Sequence, residues 1–183
     1  MTPIASNMSY DISLLMAQTR KLAADYRNET GHALPVTEEL ARFDSVTLLK
    51  LKKIEGHEGV DAISTEVVKE GELPKSRFLI KGRVIFKGGK ARQKLGKLSL
   101  AADWNQLLMV IYNAEYQPTH IYQVARETIE QELAKVSVDK RGSMTVAKYK
   151  AIGDLIWDSQ NLPSDTAVEG ISSIQNNQSS VPK

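Results

Sequence analysis

The sequence predicts a single α/β domain with a central mixed sheet of about five strands flanked by helices. Apolar residues recur at helical spacing near both ends of the folded part of the chain, and short strand-like apolar runs fill its middle. Composition agrees with this prediction. The chain has 183 residues, 42% of them apolar and 25% charged, which suits one globular domain.

Two amphipathic helices open the predicted domain, the first over residues 10–29. Its apolar side consists of Ile12, Leu15, Met16, Thr19, Leu22, Ala23 and Tyr26. The second helix starts at Thr37, a residue type that caps helices, and carries Glu38 and Glu39 in its first turn. Because the helix dipole favours acidic residues at that end, Glu39 has an ordinary explanation as well as a functional one.

Strands and two further helices follow. The predicted strands are Val60–Val68, Phe78–Lys87, Leu95–Leu100, Leu107–Tyr112 and His120–Val124. One predicted helix ends near Val136, and another runs from about Thr145 to Trp157. The strand Phe78–Lys87 has the clearest pattern, since its side chains alternate between two faces. One face carries Phe78, Ile80, Val84 and Phe86, and the other carries Leu79, Lys81, Arg83, Ile85 and Lys87.

Basic residues are concentrated in one segment of the chain. Between Leu73 and Ala102 there are nine basic residues and no acidic one, so the net charge of +2, less these nine, leaves −7 on the rest. A local field of this kind attracts a polyanion. We expect nucleic acid, DNA first with RNA as an open alternative, to bind Lys81, Arg83, Lys87, Lys90, Arg92, Lys94 and Lys97. Two other interpretations are open. The segment could be a solvated lysine-rich hairpin, or it could be a hairpin that docks an acidic protein.

Several other classes of protein are disfavoured. The chain has no cysteine for a disulfide or a thiolate metal site, and His32, His57 and His120 are too scattered to suggest a metal site. No apolar run approaches the roughly 20 residues that span a bilayer. Neither a signal peptide nor a phosphate-binding loop motif occurs. We therefore expect a cytoplasmic protein without a membrane partner.

The composition changes near the end of the last predicted helix. Beyond Asp158 the chain consists mainly of Ser, Asn, Gln, Asp and Pro with scattered small apolar residues. This predicts one domain over residues 9–157 and a disordered polar tail over 158–183. The sequence does not determine the oligomeric state, and a homo-oligomer is possible.

Three short motifs occur in an informative order. Glu39 lies on the second helix, Gly-Val-Asp-Ala spans Gly59–Ala62, and Leu-Ile-Lys spans Leu79–Lys81. Over roughly residues 36–125 this order resembles the PD-(D/E)xK, or restriction-endonuclease-like, nuclease superfamily. The resemblance implies a mixed sheet between helices and Mg²⁺-dependent cleavage of phosphodiesters. It also implies that Asp61 and Glu39 hold the metal, and that Lys81 orients the attacking water and stabilises charge on the phosphate.

Leu79 departs from the pattern of that superfamily, which has an acidic residue or glutamine two positions before the lysine. A leucine side chain cannot ligate a metal, so Asp61, Glu39 and the Ile80 carbonyl are the remaining candidates. Either the site is degenerate and only binds its partner, or Glu39 has taken over the missing role. Because an unpaired buried lysine is expensive, we expect Lys81 to face a carboxylate such as Asp61 at one edge of the sheet.

Overall fold

The computed structural model describes residues 10–66, 75–86, 93–96, 98–135 and 144–161. Within these residues an open sheet of six strands is flanked by four helices, which confirms the predicted α/β class. The helices are α1 (Ile12–Thr30), α2 (Thr37–Leu48), α3 (Arg126–Ala134) and α4 (Val146–Ile152). The strands are β1 (Lys52–Lys53), β2 (Ala62–Ile63), β3 (Arg77–Val84), β4 (Gln106–Tyr112), β5 (Pro118–Ala125) and β6 (Asp154–Asp158).

The strands are ordered across the sheet as they are along the chain. The central pair, β3 and β4, is parallel, and every other pair of neighbours is antiparallel. Six of the seven residues of β4 are buried, as expected of a strand covered on both faces. The connection between the two parallel strands, residues 85–105, contains five of the nine basic residues of the segment Leu73–Ala102.

The two faces of the sheet are covered by different elements. Phe78, Ile80 and Val84 belong to a core shared with α1 and α2, whereas Leu79 belongs to a second core with residues of α3 and α4. This confirms the predicted alternation along β3. The contact with α2 is close at Gly82, where a Cβ atom would lie 2.6 Å from the Thr37 carbonyl oxygen.

The first helix is held differently from the prediction. Of its residues only Arg20 and Ala23 are fully buried, and much of the predicted apolar side is exposed, including Leu22 at 61%. Arg20 forms an ion pair with Asp44 of α2 and donates to the Tyr116 carbonyl oxygen at 2.7 Å. A buried charge network therefore anchors α1, where the sequence pattern indicated an apolar stripe.

The same buried network reaches the central strand. The hydroxyl of Tyr112 in β4 donates to Asp44 Oδ2 at 2.6 Å. Burial and the neighbouring Asp44 carboxylate together hold the pKa of Tyr112 well above its ordinary value, so the phenol stays a donor. Arg20, Asp44 and Tyr112 thereby join α1, α2 and β4.

Two predicted strands are shorter than expected or missing. The strand predicted at Val60–Val68 is only β2, Ala62–Ile63, within the described residues, and Val67 and Val68 lie outside them. In the described part of Leu95–Leu100 there is no strand, and the nearest pairing is a single bridge from Lys94 to Thr145. Leu95 and Leu98 are nevertheless buried, because this segment packs over the sheet rather than joining it.

The predictions at two helix ends were also wrong. Thr37 is the first residue of α2 rather than its cap, since Val36 occupies that position. The helix predicted to reach Trp157 ends at Ile152, and the chain continues as β6 beside β5. Gly153 has an extended backbone, and a Cβ atom there would lie 2.9 Å from Val124 Cγ2, so the turn into β6 requires a close approach.

The described chain continues through Asn161, past the predicted domain end at residue 157. The larger part of the predicted tail, residues 162–183, lies outside the described residues. Among the described residues no helix combines the length and the apolar character that a membrane span requires.

Candidate functional site

The three residues singled out by the resemblance lie around one edge of β3. Within the described residues β2 pairs with β3 only at Arg77 and Phe78, which leaves the following part of β3 without a partner strand on that side. Asp61, immediately before β2, compensates in part, because its Oδ2 atom accepts a hydrogen bond from the Ile80 backbone N–H at 2.7 Å. The helix α2, which carries Glu39, packs against β3, with Thr37 and Ala41 next to Gly82.

Arg42 of α2 joins the two carboxylates that were predicted to hold a metal. Its Nε atom donates to Asp61 Oδ1 at 2.7 Å, and its Nη1 atom donates to Glu39 Oε1. Glu38 Oε2 lies 3.9 Å from Nη2 of the same guanidinium. Burial alone would lower the pKa of Arg42, but the hydrogen bond and charge of Asp61, with the charges of Glu39 and Glu38, outweigh it and raise that pKa.

Lys81 has the expected kind of partner but not the expected residue. Its Nζ atom lies 3.4 Å from Glu38 Oε1, and its side chain is 15% exposed. The ion pair with Glu38 replaces the expected pairing with Asp61. Since Glu38 also faces Arg42, one carboxylate serves two cations, and Lys81 and Asp61 are linked only through this network.

Leu79 is a core residue rather than part of an open cleft. It is 7% exposed and belongs to the same apolar cluster as Val60 and Leu107. Its backbone lies beside Asp61, because Ala62 pairs with Phe78 and the Asp61 N–H bonds to the Phe78 carbonyl oxygen. The side chain at this position contributes to packing where the resemblance would require a metal ligand.

The donor set does not fit the magnesium ion that the resemblance implies. Mg²⁺ normally needs one or two carboxylates with free oxygens, completed by water and phosphate. Here one Asp61 oxygen bonds to Arg42 and the other to a backbone N–H, and Glu39 bonds to the same guanidinium. The described residues contain no group of three or more His, Asp or Glu side chains suited to a metal ion.

Arg83 faces into the protein, although the sequence placed it on the nucleic-acid surface. Its Nε atom donates to the Lys94 carbonyl oxygen at 2.8 Å, and Nη2 donates to that of Leu95. Burial lowers the pKa of Arg83, and the nearby charge of Glu38 opposes this effect only in part. The side chain therefore fixes the backbone at Lys94 and Leu95 to β3.

Two other arginines bind the end of the connection between β3 and β4. Arg77 Nε donates to the Asp103 carbonyl oxygen at 2.7 Å, and Arg126 Nη1 donates to that of Ala102 at 2.7 Å. Arg126 also lies over the Trp104 ring, with its guanidinium carbon 5.2 Å from the ring centroid. The described part of the connection between β3 and β4 is thus pinned at several backbone positions.

The described basic residues of the segment differ in their exposure to solvent. Lys75 and Lys94 are exposed, whereas Lys81 and Arg83 are engaged inside the protein. The other predicted nucleic-acid ligands, Lys87, Lys90, Arg92 and Lys97, lie outside the described residues. Two of the seven predicted ligands are therefore held by internal bonds, and one described ligand, Lys94, faces solvent.

Two residues that connect this network were not expected in it: Arg42 was not singled out in the sequence, and Glu38 was expected only as a first-turn acid of α2. Arg42 follows Glu39 by three positions and Glu38 by four, and residues at these spacings are neighbours on a helix. That spacing could have indicated a charge cluster on one side of α2. It could not have indicated Asp61, which reaches Arg42 only through the fold.

No family model and no curated protein matches this chain.

Proposed function

We propose that the protein binds nucleic acid, DNA in the first place, through the outward-facing cations of the segment Leu73–Ala102. The observation that carries the proposal is charge segregation: nine basic residues and no acidic one within a single segment. Phosphate contacts supply most of the sequence-independent affinity for nucleic acid, and lysine and arginine are the side chains that make them.

The anchoring of the segment supports this proposal. Arg83 donates to the carbonyl oxygens of Lys94 and Leu95, and Arg126 donates to that of Ala102, so the backbone that carries Lys94 is held in place by side-chain hydrogen bonds. Binding to a preorganised surface loses less conformational entropy than binding to a free loop. Arg83 then acts as a positioning residue, whereas Lys94 is a candidate for direct phosphate contact.

We further propose that the protein binds without cutting, as a non-catalytic relative of the nucleases it resembles. Leu79 cannot ligate a metal, and Asp61 and Glu39 are bonded to Arg42. The competing reading is a Mg²⁺-dependent nuclease. Incubation with plasmid and single-stranded DNA in Mg²⁺ or Mn²⁺, beside Lys81→Ala, distinguishes them: cleavage by the parent that the variant lacks would contradict the non-catalytic proposal.

Fluorescence anisotropy with random-sequence DNA tests the binding itself. If four cations contact phosphates, raising salt from about 50 to about 200 mM should weaken binding roughly 10²-fold, from a slope near −0.9 per contact. A charge-matched acidic protein serves as competitor, because an interaction module that docks acidic proteins would prefer it. Absence of DNA binding at low salt, or a flat salt dependence, would contradict the proposal.

A further inference from the structure

Arg42 is a helix residue whose guanidinium is surrounded by three carboxylates. It lies among the carboxylates of Glu38, Glu39 and Asp61, and its side chain is only 29% exposed. Two of its nitrogen atoms donate to two different carboxylates, one from its own helix and one from the chain segment before β2. A cation that bridges carboxylates from two elements performs the task that a bound metal ion performs in other proteins.

We infer that the Arg42 guanidinium is the resident cation of this carboxylate group, in the place that the resemblance gives to a divalent ion. The protein therefore needs no metal to assemble this edge of the sheet. The inference concerns the internal charge balance and is independent of whether the protein binds nucleic acid.

The charges of the cluster support the inference. Three carboxylates, Glu38, Glu39 and Asp61, face two cations, Arg42 and Lys81. Without Arg42 the remaining cation would be Lys81, which pairs with Glu38, and mutual repulsion among the carboxylates would favour an added positive charge. A divalent ion would satisfy that requirement, since carboxylates are hard oxygen ligands.

The orientation of Asp61 gives a second reason. Its Oδ1 atom bonds to Arg42 while its Oδ2 atom bonds to the Ile80 N–H, so the guanidinium holds the carboxylate where it caps the open edge of β3. The Arg42 cation therefore has a structural role. It orients the Asp61 carboxylate, which accepts the hydrogen bond of the Ile80 N–H at the edge of the sheet. Replacement of the guanidinium by a metal ion should restore part of the same order.

Thermal melting of the full chain with and without Mg²⁺ or Mn²⁺ tests the inference, with NaCl at matched ionic strength as reference. The test variant is Arg42→Gln, which removes the charge but keeps a donor for Asp61. The matched control is Arg42→Lys, which keeps the charge. We expect no metal-specific shift for the parent or for Arg42→Lys, and a rise of about 2–4 °C for Arg42→Gln in millimolar Mn²⁺.

A second substitution identifies the ligands. Adding Glu39→Gln to Arg42→Gln should abolish most of the rise, because one carboxylate of the group is lost. If Arg42→Gln is unfolded without metal, circular dichroism during a Mn²⁺ titration gives the readout, since binding then drives folding. The inference is overturned if Mn²⁺ stabilises the parent as much as Arg42→Gln, or if Arg42→Gln gains neither stability nor structure from metal.

Discussion

Arg42 Nε lies 2.7 Å from Asp61 Oδ1, and this bond joins the second helix to the edge of the sheet. The other oxygen of Asp61 accepts the Ile80 N–H at 2.7 Å, so a single carboxylate satisfies a helix cation and a strand donor together. Asp61 therefore has a structural task that accounts for its position whether or not the site has a chemical function.

Removal of the Asp61 carboxylate should destabilise the protein. Asp61→Ala leaves the Arg42 guanidinium and the Ile80 N–H without their acceptor, which we expect to cost about 2–4 kcal/mol of unfolding free energy. Asp61→Asn should cost less, because the amide oxygen can still accept one of the two bonds. Urea denaturation measures both. If Asp61→Ala unfolds within about 0.5 kcal/mol of the parent, the bonds to Asp61 do not stabilise the fold.

A carboxylate at position 79 tests whether a metal site can be rebuilt. Leu79→Glu places a charge at a site that is 7% exposed, so the variant should lose a few kcal/mol without metal. With Arg42 in place, Mg²⁺ should restore little of this loss. In the double variant Leu79→Glu with Arg42→Gln, Mg²⁺ should raise the Tm clearly more, because the new carboxylate then adds to those of Asp61, Glu38 and Glu39 and no guanidinium competes with the ion.

Leu79→Gln provides the control for that experiment, since it introduces a polar side chain of similar size without charge. Thermal melts in Mg²⁺ and in matched NaCl supply the comparison. Equal Mg²⁺ responses of the glutamate and glutamine variants, each in the Arg42→Gln background, would mean that position 79 does not reach the carboxylate group.

Gly82 is predicted to tolerate no side chain. A Cβ atom there would lie 2.6 Å from the Thr37 carbonyl oxygen and 2.9 Å from Ala41 Cβ, so Gly82→Ala must push α2 away from β3. We expect a loss of about 2–3 kcal/mol, at the upper end of the usual cost of overpacking. Chemical denaturation gives this value.

The matched control for Gly82 is Gly56→Ala. At Gly56 a Cβ atom would meet nothing within 4 Å, but the backbone φ of 80° is strained for any side chain, at a cost of about 1 kcal/mol. Gly56→Ala thus measures backbone strain without steric overlap, whereas Gly82→Ala measures steric overlap without a positive φ, and the overlap should cost more. A smaller loss for Gly82→Ala than for the control would contradict the close helix–strand contact.

Lys94 should contribute to nucleic-acid binding without contributing to stability. Its side chain is exposed, while its carbonyl oxygen is held by Arg83, so Lys94→Ala should leave the Tm unchanged. In anisotropy titrations the slope of log K against log salt should become shallower by about 0.9, the loss of one phosphate contact. Lys21→Ala is the control, because Lys21 is an exposed lysine on α1, which covers the other face of the sheet. Equal effects of the two substitutions would mean that binding is not localised in the basic segment.

The sequence by itself determined the strands at the centre of the sheet. β3 and β4 were predicted within a few residues because apolar periodicity is a local property of the chain. The faces of β3 followed from the same alternation, and the basic segment could be counted directly. These features depend on the polarity of each side chain and on its position in the sequence. They can therefore be predicted without knowing which residues the side chain contacts.

Only the tertiary structure decided which charges meet. Arg42 and Asp61 are 19 residues apart, and Lys81 and Glu38 are 43 apart, so neither pair has a local signature. The same holds for Arg20, whose burial depends on Asp44 and on the Tyr116 carbonyl oxygen. A period in the sequence indicates which side of an element is buried, whereas the partner of a charge depends on how helices and strands approach in space. That dependence is why Asp61 and Glu39 could be singled out in the sequence, whereas the bond between Arg42 and Asp61 could not.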